Sequence, residues 1–208
     1  WANGDVTFAS GLDTAAFLAD WARFYQEIFG ITADLSRAPL PAYRLGFHWG
    51  VAVVPGITTQ QAYEKCKERF SSWKYTDQSL DQAVPRDKDD RTVDNGSYVV
   101  WCRPRVEADE EHKNLSAKKI AERRDITTMT LLERLLLELW FHYKTSGHLD
   151  IKNYTLCSGS RGSGGSVPRV DWYGGYDRLR VYWGSVGDCY DSFRAREVVS
   201  VADAKQAA

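Results

Sequence analysis

The chain of 208 residues carries a net charge of −1, and 43% of its residues are hydrophobic and 26% charged. This composition excludes a disordered chain and a protein that attracts polyanions with its whole surface, so any contact with nucleic acid must use a local patch. The apolar runs are shorter than the roughly 18 residues of a membrane-spanning helix, which predicts no membrane contact.

The four cysteines, at positions 66, 102, 157 and 189, form no Cys-x-x-Cys pair. Their spacing matches neither a zinc ribbon nor the disulfide framework of a small secreted domain. We therefore predict four reduced thiols and a cytoplasmic location. The sequence leaves open one disulfide between cysteines that are distant along the chain.

The N-terminal part predicts two helices on either side of a strand. Asp13 or Thr14 caps a first helix, whose apolar residues recur at helical spacing and which ends at Gly30. Bulky and small residues alternate over 43–54, as in a strand. A capping box at Thr58 then begins the second helix.

The middle of the chain predicts a loop, a strand and two further helices. Residues 77–96 are polar and end in Asp-Asn-Gly, which is typical of a surface loop. A strand over 97–103 and an acidic stretch precede a short helix from Ser116. The long Leu-rich helix begins at Thr130, in a Thr-x-x-Glu capping box, and ends at Gly147.

The C-terminal part predicts short strands separated by loops. In chain order these segments are a strand at 154–157, a Ser/Gly loop at 158–166, a hairpin of strands 167–173 and 178–183, a last strand or helix at 194–201 and a loose tail at 202–208.

Together these elements favour one α+β domain over residues 1–208. We expect a mixed or mainly antiparallel sheet with about four helices packed mostly on one of its faces. The Leu-rich helix should lie against the sheet centre and bury Leu132, Leu135, Leu136 and Leu139.

Several segments resemble those of known sequences: Trp73–Asp77, Val106–Glu111, Leu131–Leu135, His148–Asp150 and Leu156–Arg161. Across about residues 55–200 the chain resembles small uncharacterised bacterial proteins. The resemblance implies a prokaryotic, cytosolic origin, and it carries no activity, cofactor or catalytic residue.

A first candidate site lies at the end of the long helix, where Glu138 and His142 are four residues apart and His148 and Asp150 follow closely. If the four side chains converge, their imidazole and carboxylate groups suit a divalent metal and a metal-dependent hydrolase. The alternative is the solvated face of an amphipathic helix, with His148 near its C-terminal dipole. A weaker metal set is the acidic stretch itself: Glu107, Asp109, Glu110 and Glu111 with His112.

A second candidate is the loop 158–166, whose sequence SGSRGSGGS contains Arg161. Its backbone amides, hydroxyls and guanidinium suit a phosphate or carboxylate. The loop lacks the Lys-Ser/Thr ending of a Walker loop, and a mobile surface loop is the alternative.

A third candidate is the strand at 178–183, where alternation places Arg178, Arg180 and Tyr182 on one face. Such a face suits phosphate contacts and base stacking on single-stranded nucleic acid, and equally a protein partner. Ordinary ion pairing with neighbouring aspartates is the remaining alternative.

The sequence contains no defensible Ser-His-Asp, Cys-His or Gly-x-Ser-x-Gly arrangement and predicts no cofactor. Our first functional hypothesis is a non-enzymatic cytosolic binding or accessory protein that engages an anionic partner through Arg161, Arg178, Arg180 and Tyr182. A metal-dependent hydrolase is the second hypothesis, and a structural or assembly role is the third.

Overall fold

The computed structural model describes residues 13–123 and 125–201, and it has the α+β architecture that the sequence predicts. Its α-helices in these residues are α1 (Thr14–Phe29), α2 (Thr59–Arg69), α3 (Leu80–Ala83), α4 (Ala117–Ala121) and α5 (Leu131–Thr145). Its strands are β1 (Trp49–Val53), β2 (Ser72–Lys74), β3 (Tyr98–Cys102), β4 (Tyr154–Leu156), β5 (Val167–Tyr173), β6 (Arg178–Gly184), β7 (Phe193–Ala195) and β8 (Val198–Val199).

Local capping signals determine where the three longer helices begin. The side chain of Asp13 accepts the Ala16 N–H at the start of α1. Both α2 and α5 begin in a complete capping box, at Thr58 and Thr130 respectively. Each box satisfies two backbone N–H groups that would otherwise lack partners, which explains why these starts can be predicted.

The smaller sheet has the order β1-β3-β8 and is antiparallel. A Cβ on Gly50 in β1 would lie 2.4 Å from ring atoms of both Phe17 and Trp101. Only glycine therefore lets the aromatic rings of α1 and β3 approach the β1 backbone this closely.

The strand predicted over 43–54 is shorter in the structure, where β1 begins only at Trp49. The Phe47 N–H donates to the Arg44 carbonyl, and Gly46 has a φ of +90°. Residues 43–48 therefore form a turn and not a strand, although bulky and small residues alternate along them. The positive φ of Gly46 interrupts the extended backbone.

The larger sheet has the order β2-β6-β5-β4-β7, with β2 parallel to β6 and β4 parallel to β7. The predicted hairpin joins β5 and β6, and it pairs Asp171 with Arg180 and Trp172 with Leu179. The buried side chains of Val170, Leu179 and Val181 belong to one inner face. On that face Trp172 contacts Phe70, at the end of α2.

One hydrophobic core joins both sheets to α1, α2 and α5. Leu135, Leu136 and Leu139 of α5 are fully buried, as predicted, whereas Leu132 is only half-buried. In the described residues, no helix is long and apolar enough to cross a membrane. Cys66, Cys102, Cys157 and Cys189 are all free thiols.

Two segments expected to be loops are held tightly in the structure. Segment 77–96 contains α3, whose Leu80 is fully buried, so it is not simply a surface loop. In the Ser/Gly loop 158–166, Ser158 to Ser160 are buried, and the Gly159 carbonyl accepts the Asp90 N–H at 2.8 Å. The predicted tail 202–208 lies outside the described residues.

Candidate functional site

Every strand of the larger sheet carries an arginine or an aromatic side chain on the outer face. We call it the arginine–aromatic face, and its residues are Trp73 on β2; Arg178, Arg180 and Tyr182 on β6; Arg169, Asp171 and Tyr173 on β5; Tyr154 on β4; and Phe193 on β7. Cross-strand register places these side chains on one side, because paired residues share a face.

The guanidiniums of this face lie over aromatic rings. Arg180 is 3.9 Å from the ring centroid of Tyr173, and Arg169 is 4.5 Å from that of Tyr182. Arg178 lies 5.3 Å from the Trp73 centroid. These cation–π contacts hold the planar groups in a stacked arrangement.

The three arginines differ in whether a carboxylate forms an ion pair with the guanidinium. Arg180 forms an ion pair of 2.6 Å with Asp171. The ion pairs of residues 13–123 and 125–201 include neither Arg169 nor Arg178, and the Nε atoms of both are buried without a hydrogen-bond partner there. Asp188 lies close to Arg169, because its Oδ2 and Arg169 Nε are 3.0 and 3.3 Å from the same ideal Cβ position on Gly184, and it accepts the Ser185 N–H. With three guanidiniums against the carboxylates of Asp171 and Asp188, the face keeps an excess of positive charge.

The phenol of Tyr182 is held neutral. Burial, with the negative charge of Asp171, raises its pKa above the ordinary value. The half-buried Tyr182 ring lies beside two guanidiniums, those of Arg169 and Arg180. Further rings stand at the edge of the face, where Tyr176 is 69% and Tyr190 57% exposed.

Of the four predicted anion-binding residues, the structure brings Arg178, Arg180 and Tyr182 together on β6. Arg161 lies in the Ser/Gly loop and donates to two carbonyls of that loop, those of Ser158 and Ser160. Its guanidinium therefore stabilises the loop, and it is not part of the arginine–aromatic face.

The predicted metal residues Glu138 and Asp150 are both buried around Arg134. The Arg134 guanidinium contacts Glu138 at 2.8 Å and Asp150 at 2.9 Å. Arg196 makes a further contact of 2.7 Å with Asp150. Although burial acts to raise the Asp150 pKa, the charges of Arg196 and Arg134 keep it below the ordinary value. A divalent cation would have to displace these guanidiniums.

The other two predicted metal residues, His142 and His148, are stacked side chains. Their ring centroids are 4.9 Å apart, and the His148 ring lies parallel to Trp172 at 3.2 Å. His148 Nδ1 is hydrogen-bonded to Glu138 Oε1 at 2.9 Å. Burial and the neighbouring His148 lower the pKa of His142. This arrangement fastens the end of α5 to the larger sheet.

In the described part of the chain, one set of three metal-ligating groups lies within 4.8 Å of one another: Asp109, His112 and Glu197. Arg103 already forms ion pairs with Asp109 at 2.7 Å and with Glu197 at 2.8 Å. We therefore interpret the set as a buried cluster of ion pairs. Sequence reasoning included Asp109 and His112 but missed Glu197, which is distant along the chain.

The remaining acidic residues of that stretch have other partners. Glu107 accepts backbone N–H groups of Lys152 and Asn153. Glu110 pairs with Arg194, and Glu111 pairs with Arg105. They do not join Asp109 and His112 in one site.

Comparison with known proteins gives no relative from which a role can be transferred. No protein-family model matches the chain. No curated protein matches it. No solved structure matches it.

Proposed function

We propose that this protein is a non-enzymatic binding protein that takes up single-stranded nucleic acid on the arginine–aromatic face. The observation that carries the proposal is the placing of two arginines, Arg169 and Arg178, among aromatic rings on one sheet face, where neither forms an ion pair within residues 13–123 and 125–201. Guanidiniums attract phosphates, and rings offer stacking surfaces to unpaired bases.

Each part of the face has a distinct role in this proposal. Arg169 and Arg178 neutralise phosphates, because neither guanidinium forms an ion pair with a carboxylate within residues 13–123 and 125–201. Exposed rings such as Tyr173 and Tyr176 stack on bases, at about 1–3 kcal/mol per base. The Arg180 side chain is held in place by its ion pair with Asp171.

The same face selects single strands over duplexes. In a duplex the bases are stacked on one another, and only their edges are accessible in the grooves. Rings lying on a sheet need bases that are splayed out of a helix. We therefore expect single-stranded oligonucleotides to bind more tightly than the same sequence in a duplex.

The first test compares binding of a fluorescent oligothymidylate and oligouridylate by the wild-type protein and by the double variant Arg169→Ala/Arg178→Ala. Loss of two phosphate contacts should weaken binding by about 10–100-fold at low salt. It should also reduce the slope of log affinity against log salt by about 1.4, at about 0.7 for each contact on a single strand.

The matched control is Arg23→Ala/Arg37→Ala, which removes the same charge at exposed positions outside the sheet. The control should retain wild-type affinity to within about threefold. Absence of wild-type binding at low salt, or an equal loss in both double variants, contradicts the proposal. Binding of a protein instead of the oligonucleotides would assign the face to a protein partner.

A further inference from the structure

A second cleft, separate from the arginine–aromatic face, lies beside the start of α5 and has a volume of about 190 Å³. Its apolar wall consists of Ile57, Val84, Val93 and Leu132. A cavity of roughly 150 Å³ in another protein holds one benzene molecule, so this volume suits a ligand of one ring with a short arm. Apolar walls with a few polar groups are typical of small-molecule sites.

The polar side of the cleft contains two arginines that are already paired. Arg91 binds Glu133 through two hydrogen bonds, of 2.8 and 2.7 Å. Arg86 forms an ion pair of 3.0 Å with Asp94. Neither guanidinium therefore brings uncompensated positive charge to the cleft.

The two aspartates that line the cleft, Asp81 and Asp89, differ from these arginines in that their charges are not neutralised by an ion pair within residues 13–123 and 125–201. Asp81 accepts the Gln60 N–H, and Asp89 accepts the hydroxyl of Ser160. The cleft therefore has an excess of negative charge next to an apolar wall.

The position of Asp89 is fixed by the surrounding structure. Ser160, which donates to Asp89, accepts the Leu131 N–H in the first turn of α5 at 2.8 Å. Asp89 and Ser160 also pair as an isolated β-bridge. A carboxylate held in this way is preorganised for a ligand, since little rotamer freedom remains to be lost on binding.

We infer that this cleft binds a small organic monocation, whose ammonium or amidinium group contacts Asp89 while its apolar body packs on Ile57, Val84 and Leu132. Charge complementarity selects the cation, and the volume limits the body to about one ring. The paired guanidiniums of Arg86 and Arg91 disfavour a second positive charge on the ligand.

Binding of such a ligand should depend on pH. Burial, together with the charge of Glu133, raises the pKa of Asp89 to about 7, against the hydrogen bond from Ser160. The ionisable groups around Asp89 are Glu133 on α5, Asp81 on α3, Tyr98 on β3, Cys157 and Arg161 at and within the Ser/Gly loop, and Arg86, Asp90 and Arg91 on its own segment. A cation prefers ionised Asp89, so affinity should be about tenfold higher at about pH 8 than at about pH 6.

The test uses benzylamine, which stays protonated over this pH range, and benzyl alcohol as its neutral counterpart. Amide chemical shifts of the labelled full chain are followed in titrations of the wild-type protein, of Asp89→Asn and of Asp77→Asn. Asp77 is exposed and does not line the cleft, so its variant is the matched charge control.

Wild-type protein and Asp77→Asn should bind benzylamine with a Kd of about a millimolar, with shifts at Val84, Tyr98 and Leu132. Asp89→Asn and the use of benzyl alcohol should each weaken binding at least tenfold. Equal binding of amine and alcohol, or an affinity independent of pH, overturns the inference. These two comparisons use the wild-type protein alone, so they decide the matter even if Asp89→Asn does not fold.

Discussion

At the residue scale, Arg134 shows why a polar stripe on a helix can belong to the interior. Its side chain and those of Glu138 and Asp150 are all fully buried. Arg134 and Glu138 are one turn apart on α5 and form an ion pair of 2.8 Å. Asp150 and Arg196 come from other parts of the chain and complete the buried cluster.

The pH dependence of stability should depend on another buried carboxylate, that of Glu197. Burial acts to raise its pKa, but hydrogen bonds from His112 and Arg103 lower it to about 2 in the fold, from an ordinary 4.5. Because the folded-state pKa is depressed, the stabilisation is complete above about pH 5 and is lost as the pH falls towards 2. It amounts to about 3 kcal/mol at neutral pH.

Glu197→Gln should therefore lower the free energy of unfolding by about 3 kcal/mol at neutral pH and by little near about pH 2. Urea denaturation at several pH values measures this difference. Glu68→Gln is the control, because Glu68 belongs to an exposed pair with Lys65 and should change stability by less than about 1 kcal/mol. A difference that is the same at every pH would contradict the assignment.

At the scale of elements, α5 offers a graded test of the core. Leu135→Ala should cost about 2–5 kcal/mol of unfolding free energy, because the side chain is fully buried and its removal leaves a cavity. Leu132→Ala should cost clearly less, since Leu132 is half-buried beside the cleft. Denaturant midpoints of the two variants measure the comparison, and equal costs would place Leu132 in the core as well.

The sequence predicts elements well where the determining signal is local. Asp13, Thr58 and Thr130 cap their own helices, so the starts of α1, α2 and α5 follow from neighbouring residues. Strand β2 was not predicted, because its three residues become a strand only by pairing with β6, far along the chain. For the same reason β1 was predicted too long, since alternation alone does not show where pairing with β3 stops.

The candidate site was predictable to a similar extent. Alternation along β6 places Arg178, Arg180 and Tyr182 on one face, and the structure has the same arrangement. The remaining members of the face, among them Trp73 and Arg169, depend on the register between strands. The cleft around Asp89 was missed, because the polar segment 77–96 has no periodicity that indicates burial.

At the scale of the whole molecule, the two sheets share a core. Val51 and Val100 of the smaller sheet belong to the same buried cluster as Val170 and Val181 of the larger one. Helix α5 contacts both α2 and β1, and His148, just beyond its end, stacks on Trp172 of β5. A cavity in one sheet should therefore destabilise the other.

We predict that this protein unfolds as one cooperative unit, and native-state hydrogen exchange tests this directly. Val170→Ala creates a cavity under the larger sheet, and it should accelerate amide exchange in β5 and β6. If opening is global, the slowest amides of β1 and β3 exchange only on complete unfolding. Their free energy of opening should then fall by the same amount as that of β5 and β6. Val186→Ala, at an exposed loop position, is the control and should leave all four strands unchanged. Faster exchange in β5 and β6 alone would mean that the two sheets open independently, and the prediction of a single domain would then be wrong.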